Sequence, residues 1–225
     1  MNTFMITKLI TKDWHLYKNY MLGYALLGII SAGLMTVQYN AVYYLGFMGL
    51  LTVLIGSSAH LTINMVVTEK KESQLSFIMA LPIGPLDYTL SKILGGLGIY
   101  LVCWGIIVMA TTLIIYFSHM PNGLLPMLFI TALEIFAATT ILLCAGVLSG
   151  SMPVTMVTMI VLNLFFNTFI FVVAGIETIA SNIESPTAIF NSTVFNLISA
   201  ELLVIVIVIV LSPTIFIKSR KTCFI

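Results

Sequence analysis

Apolar residues fall in six long blocks along this chain, at about 20–37, 43–66, 93–117, 125–149, 154–176 and 197–217, separated by short polar stretches. A helix of about 20 apolar residues crosses a hydrocarbon core of about 30 Å, so each block predicts one transmembrane helix. The valine and isoleucine run from Val204 to Val210 lies inside a block of spanning length and reads as lipid-facing helix rather than strand. Before the first block, Ile6, Leu9, Ile10, Trp14 and Tyr17 share one helical face and Lys8, Lys12 and His15 another. That pattern predicts an interfacial elbow helix within residues 1–19, although Asp13 interrupts its apolar side. The fold class expected is all-α integral membrane, a single domain over residues 1–225.

The connection from 67 to 92 departs from the rest. It holds Glu69, Lys70, Lys71, Glu72, Asp87 and Lys92, six of the seventeen charged residues of the chain. Leu75, Ile78 and Met79 follow at i, i+3 and i+4, which places them on one face of a short amphipathic helix. Pro82 disfavours helical geometry at Leu81 and ends that helix, and Pro85 suits the first turn of the next. Such a connection is either an ordinary link between spans or a docking element for a water-soluble partner.

Composition and charge sharpen this picture. Sixty per cent of the 225 residues are hydrophobic and 8% are charged, against about 25% charged in an average soluble domain. All nine basic residues fall on one side of the six-span layout: Lys8, Lys12 and Lys18, then Lys70, Lys71 and Lys92, then Lys218, Arg220 and Lys221. The positive-inside rule therefore puts both ends and the 67–92 connection in the cytoplasm, with 38–42, 118–124 and 177–196 outside.

Polar residues within the spans are the remaining candidates. Ser57, His60, Asn64 and Thr68 recur at helical spacing in the second span, Glu134 lies in the fourth, Asn163 and Asn167 in the fifth, and Glu201 in the sixth. Side chains of this kind bond neighbouring helices or line a cargo path, and carboxylates in a span face protein or water. No phosphate-cradling Gly-x-x-x-x-Gly-Lys-[Ser/Thr] run and no His-Glu-x-x-His motif occurs, so no catalytic residue is assigned. Cys103, Cys144 and Cys223 are dispersed and predict neither a disulfide framework nor a metal site.

The run Glu69-Lys70-Lys71-Glu72-Ser73-Gln74-Leu75, with Ala80-Leu81-Pro82-Ile83, Asp87-Tyr88 and Ser91-Lys92-Ile93-Leu94, resembles the cytoplasmic loop of bacterial type-2 ABC transporter permeases. The resemblance is specific from Glu69 to Leu94 and topological elsewhere. It extends to small permeases without large extracellular domains, among them exporters of antimicrobial peptides or phenol-soluble modulins.

Several expectations follow from that resemblance. The chain would be the permease subunit of an exporter in the bacterial plasma membrane, paired with a second permease. A separate cytoplasmic ATPase would bind ATP and Mg, and this chain would hold no cofactor of its own. Glu69, Lys70, Lys71, Glu72, Leu75, Ile78, Met79, Leu81 and Pro82 would form the coupling helix and its stop, with Glu69 ion-paired to the ATPase. The cargo would be hydrophobic or amphipathic, such as a peptide or drug, and no nucleic-acid partner is expected. Two other classes fit the composition: a secondary transporter or channel without an ATPase, and a membrane protein that binds a peptide for immunity or sensing.

The distribution of basic residues generates a direct test of topology. In a background without native cysteines, single cysteines near Asn40, Asn122 and Asn182 are expected to react with an impermeant thiol reagent in intact cells. Labelling of a cysteine at Ser73 would reverse the orientation.

Overall fold

A computed structural model describes residues 3–69 and 84–222, with side chains not described at Val67, Pro85 and beyond Ser212. Among the described residues every regular element is helical: α1 (Thr3–Leu34), α2 (Asn40–Thr62), a π-helix (Ile63–Thr68), α3 (Pro85–Phe117), α4 (Leu124–Ser149), α5 (Met152–Ala174), the single turn α6 (Glu177–Ala180) and α7 (Ser192–Thr222). Five stretches are long and apolar enough to cross a membrane: Asn40–Val66, Leu86–Phe117, Leu124–Ser149, Met152–Ala174 and Ser192–Ser212. The chain is an all-α protein of multi-pass membrane character.

The amino-terminal region differs from its expected form. Instead of an elbow followed by a separate span, α1 runs unbroken for 32 residues. No proline lies within it, and its Lys12, Asp13, Lys18 and Asn19 dilute the apolar stretch that would otherwise make it a sixth span. The predicted coupling helix, with Lys70, Lys71, Glu72, Leu75, Ile78, Met79, Leu81 and Pro82, lies outside the described residues.

Packing follows the sequence of small and large residues. The most extensive helix contacts are α1 with α3, α1 with α2, and α4 with α7, while α4 also touches α2, α3 and α5 and so forms the centre of the bundle. Leu54, Leu61, Met65, Ile99, Tyr100, Ile107, Ile135 and Leu143 make up one contiguous core. Gly46 allows α2 to approach α1, since a Cβ there would sit 2.7 Å from the Ser31 carbonyl oxygen and 2.8 Å from the Met35 nitrogen. Large apolar side chains point outward along whole helix faces, such as Leu22, Leu26, Leu27 and Ile30 on α1 and Val157, Ile160, Val161, Leu164 and Phe165 on α5. In water such surfaces would aggregate, but against lipid they are ordinary.

Two connections close the bundle. Gly150 takes a left-handed conformation (φ 58°) after α4 and donates its N–H to the Gly146 carbonyl at 2.8 Å, ending the helix before Pro153 begins the next. At the opposite end the 177–191 segment folds back over α4: Asn122 Nδ2 donates to the Pro186 carbonyl at 3.2 Å, and Ile179 and Val194 are buried against Ile130 and Val173.

Candidate functional site

Four charged side chains meet where α1, the end of the π-helix and α3 converge. Lys92 on α3 donates to both carboxylate oxygens of Asp13 on α1, at 3.1 and 2.9 Å, and is also ion-paired with Glu69, the residue directly after the π-helix. Lys12 donates to Glu69 Oε1 at 2.7 Å and lies 3.4 Å from Asp13. Asp13 is 1% exposed, Lys92 is fully buried and Glu69 is 6% exposed, whereas the Lys12 side chain stays 40% exposed. Tyr88, one turn before Lys92, places its hydroxyl 3.5 Å from Glu69 Oε2.

Burying three charges is costly, and this cluster answers the cost by alternating signs around a closed circuit that the part-exposed Lys12 completes. Each carboxylate faces two ammonium groups and each ammonium two carboxylates, so no buried charge is left uncompensated. Burial alone would raise the Glu69 carboxyl, but the Lys92 charge and the hydrogen bond from Lys12 overcome it and hold the group below the usual range. Burial likewise opposes the charged form of Lys12, and the Glu69 hydrogen bond and the Asp13 charge outweigh it, raising that ammonium above its ordinary value. Both directions favour the ionised pair at neutral pH.

The backbone entering the cluster is itself unusual. The second span changes from α to π geometry at Ile63, and the Thr68 hydroxyl donates to the Ile63 carbonyl five residues earlier, at 3.2 Å. Single π-turns inside α-helices are frequent at functional sites, because the extra residue per turn re-aims the side chains that follow. Here the turn leads to Glu69 directly beside Lys12 and Lys92.

A polar cavity of about 470 Å³ opens beside the cluster, lined by Lys12, Asp13 and Tyr20 of α1 and by His60, Asn64, Thr68 and Glu69 of the second span. His60 is held between two rings, with Tyr20 at 5.4 Å and Tyr24 edge-on at 5.6 Å, and its Nδ1 is 3.4 Å from the Tyr24 hydroxyl. Asn64 donates to the His60 carbonyl at 3.0 Å. This wall offers hydrogen-bonding and charged groups beside aromatic faces.

The other candidate residues are placed apart. Ser57 is buried and donates to the Leu54 carbonyl at 2.9 Å, away from the cavity wall. Asn163 lines a separate small void of about 30 Å³ with Ser58 and Thr139, while Asn167 is exposed and donates to the Asn163 carbonyl at 2.7 Å. Glu134 is buried on α4, some distance along the bundle. Glu69 turns inward: its carboxylate is buried and shared by two lysines of its own chain. Asp13 was legible only as a blemish on an apolar face, yet an acid at such a position is the signal of a buried cation opposite it.

No family model, curated protein or solved structure matches this chain.

The geometry predicts unequal roles for the two lysines. Lys92→Met leaves the buried Asp13 and Glu69 with only the part-exposed Lys12 as a cation and is expected to destabilise the protein by about 3–5 kcal/mol. Lys12→Met removes a half-exposed partner and is expected to cost less. Thermal unfolding in detergent micelles measures both, and equal effects would contradict the circuit.

Proposed function

We propose that this chain is the membrane-spanning permease subunit of an ATP-driven ABC exporter. A separate cytoplasmic ATPase binds ATP and Mg and drives it, and a second permease copy or homologue completes the translocation unit. In this reading α1 adds a sixth crossing, both ends face the cytoplasm of a bacterial cell, and the cargo is hydrophobic or amphipathic. One observation carries the proposal beyond the loop's resemblance to type-2 ABC permeases. The charged 67–92 connection leaves the second span at Glu69 and re-enters the bundle through Lys92, and these two residues are ion-paired to each other and to α1.

A connection anchored in this way is suited to transmitting force. Displacement of its central part is delivered to α1, the π-helix and α3 at one point, beside the His60, Asn64 and Thr68 wall of the cavity. Glu69 then acts as an internal anchor rather than as the contact with the ATPase. The outward contact falls to Lys70, Lys71, Glu72 and the apolar face of Leu75, Ile78 and Met79, bounded by Leu81 and Pro82.

The test replaces Leu75 and Ile78 together by Asp, which puts charge on the face proposed to enter an apolar groove, at a desolvation cost of several kcal/mol, roughly 2–7 per polar group left unpaired. The wild-type protein, solubilised from its native membranes, is expected to carry Mg-dependent ATPase activity through purification. The double variant is expected to lose it while eluting as the same monodisperse permease. Full retention of the ATPase by the variant, or none with the wild type, overturns the proposal.

A further inference from the structure

Glu134 and Glu201 take no part in the charged circuit. α4 and α7 carry them side by side: near one end Ile130 packs in the same cluster as Val194, and near the other Cys144 meets the Ser212 hydroxyl, so the two helices run parallel. Glu134 lies ten residues after Leu124 and Glu201 nine after Ser192. At 1.5 Å per residue each is about 14–15 Å into its helix, close to the middle of a core of about 30 Å.

The surroundings of Glu201 hold no hydrogen-bond partner for it. It is 6% exposed, and neither carboxyl oxygen has one. Glu134, 8% exposed, is near enough for its charge to act on Glu201. Besides Glu134, α4 presents only Cys144 as a titratable group. On α3, the other helix packed against α7, Lys92 is engaged with Asp13 and Glu69 at the far end, near Asp87 and Tyr88. Nearer the middle, Tyr100 donates to the Leu54 carbonyl, Cys103 to Met21, Trp104 to Ala132 and Thr111 to Ile107. Tyr116, His119, Glu177 and Glu184 are exposed at or beyond the helix ends.

Two neighbouring carboxylates in a low-dielectric interior without a cation do not both stay ionised. A multivalent metal needs more oxygen ligands than two side chains supply. Among the described residues no group of three His, Cys, Asp or Glu side chains could hold one. The ligand whose size and charge fit is a proton. We propose that Glu201 and Glu134 form an intramembrane proton-binding site, in which the two neighbouring carboxyl groups hold one proton between them at neutral pH, carried by Glu201. Glu134, the adjacent carboxylate, is the group through which that proton exchanges. The site stands independently of the exporter reading, and neither result decides the other.

Infrared spectroscopy of the full chain in lipid nanodiscs tests this through the carbonyl stretch of a protonated carboxylic acid. At neutral pH the wild type is expected to show one equivalent of that band. Glu201→Gln is expected to remove it and Glu134→Gln to leave its amplitude unchanged. Transfer to D2O is expected to shift the band in the wild type and to do so more slowly in Glu134→Gln. Absence of the band, its survival in Glu201→Gln, loss of an equivalent in Glu134→Gln, or a D2O shift that Glu134→Gln does not slow overturns the proposal. If Glu201→Gln does not purify as a monodisperse protein, the wild-type amplitude normalised to the amide band still decides, since zero or two equivalents contradict a single proton.

Discussion

The contact between Lys92 and Asp13 is the constraint on which this end of the described bundle depends. It fixes where α1 crosses α3, the most extensive helix contact in the bundle, and through Glu69 it fixes where the second span ends. Nonpolar packing between helices in a bilayer discriminates weakly among rotations, because lipid is as apolar as the neighbouring helix. A buried charge permits only the rotation that brings its partner to it. The four-residue circuit therefore specifies an arrangement that apolar packing alone would leave degenerate, at the expense of desolvating three side chains almost completely.

The same circuit gives the π-turn a purpose. One extra residue in the turn before Glu69 re-aims that side chain toward Lys12 and Lys92, and the Thr68 hydroxyl satisfies a carbonyl that the altered hydrogen-bond pattern reaches. Cavity and circuit share Lys12, Asp13 and Glu69, so any shift of the 67–92 connection that disturbs one disturbs the other. Under the proposed reading as an exporter permease, this shared wall is where movement of the connection becomes a change in the space available to cargo. The pair Glu134 and Glu201 lies on helices that carry none of the circuit's residues, and adds a second polar locus proposed to be governed by proton occupancy rather than by ion pairing.

What the sequence discloses depends on how local the cause is. Apolar blocks of spanning length mark α2, α3, α4, α5 and α7 because each segment's solvent decides its helicity. The turn at Gly150 is equally local, as is the start of α3 at Pro85. The continuity of α1 is not local: its apolar and basic faces suit a surface helix, and the distant Lys92 supplies the buried cation that compensates the burial of Asp13. For the same reason the spacing marks Glu69 as the start of a charged connection but not its inward orientation, since the partners lie 57 and 23 residues away in opposite directions along the chain. His60, Asn64 and Thr68 do share one cavity wall, as their three- and four-residue spacing implies, whereas Ser57 turns back on its own helix.

A double-mutant cycle on Asp13→Asn and Lys92→Gln, read as unfolding free energy in a single detergent or lipid system, addresses the buried circuit most directly. Residues joined in one ion-pair network are expected to show a coupling energy toward the upper part of the range of about 0.5–3 kcal/mol, with the double variant less destabilised than the sum of the singles. Additivity of the two substitutions within about 0.3–0.5 kcal/mol would mean that Lys92 and Asp13 do not constrain each other. The circuit would then not be what sets the crossing of α1 and α3.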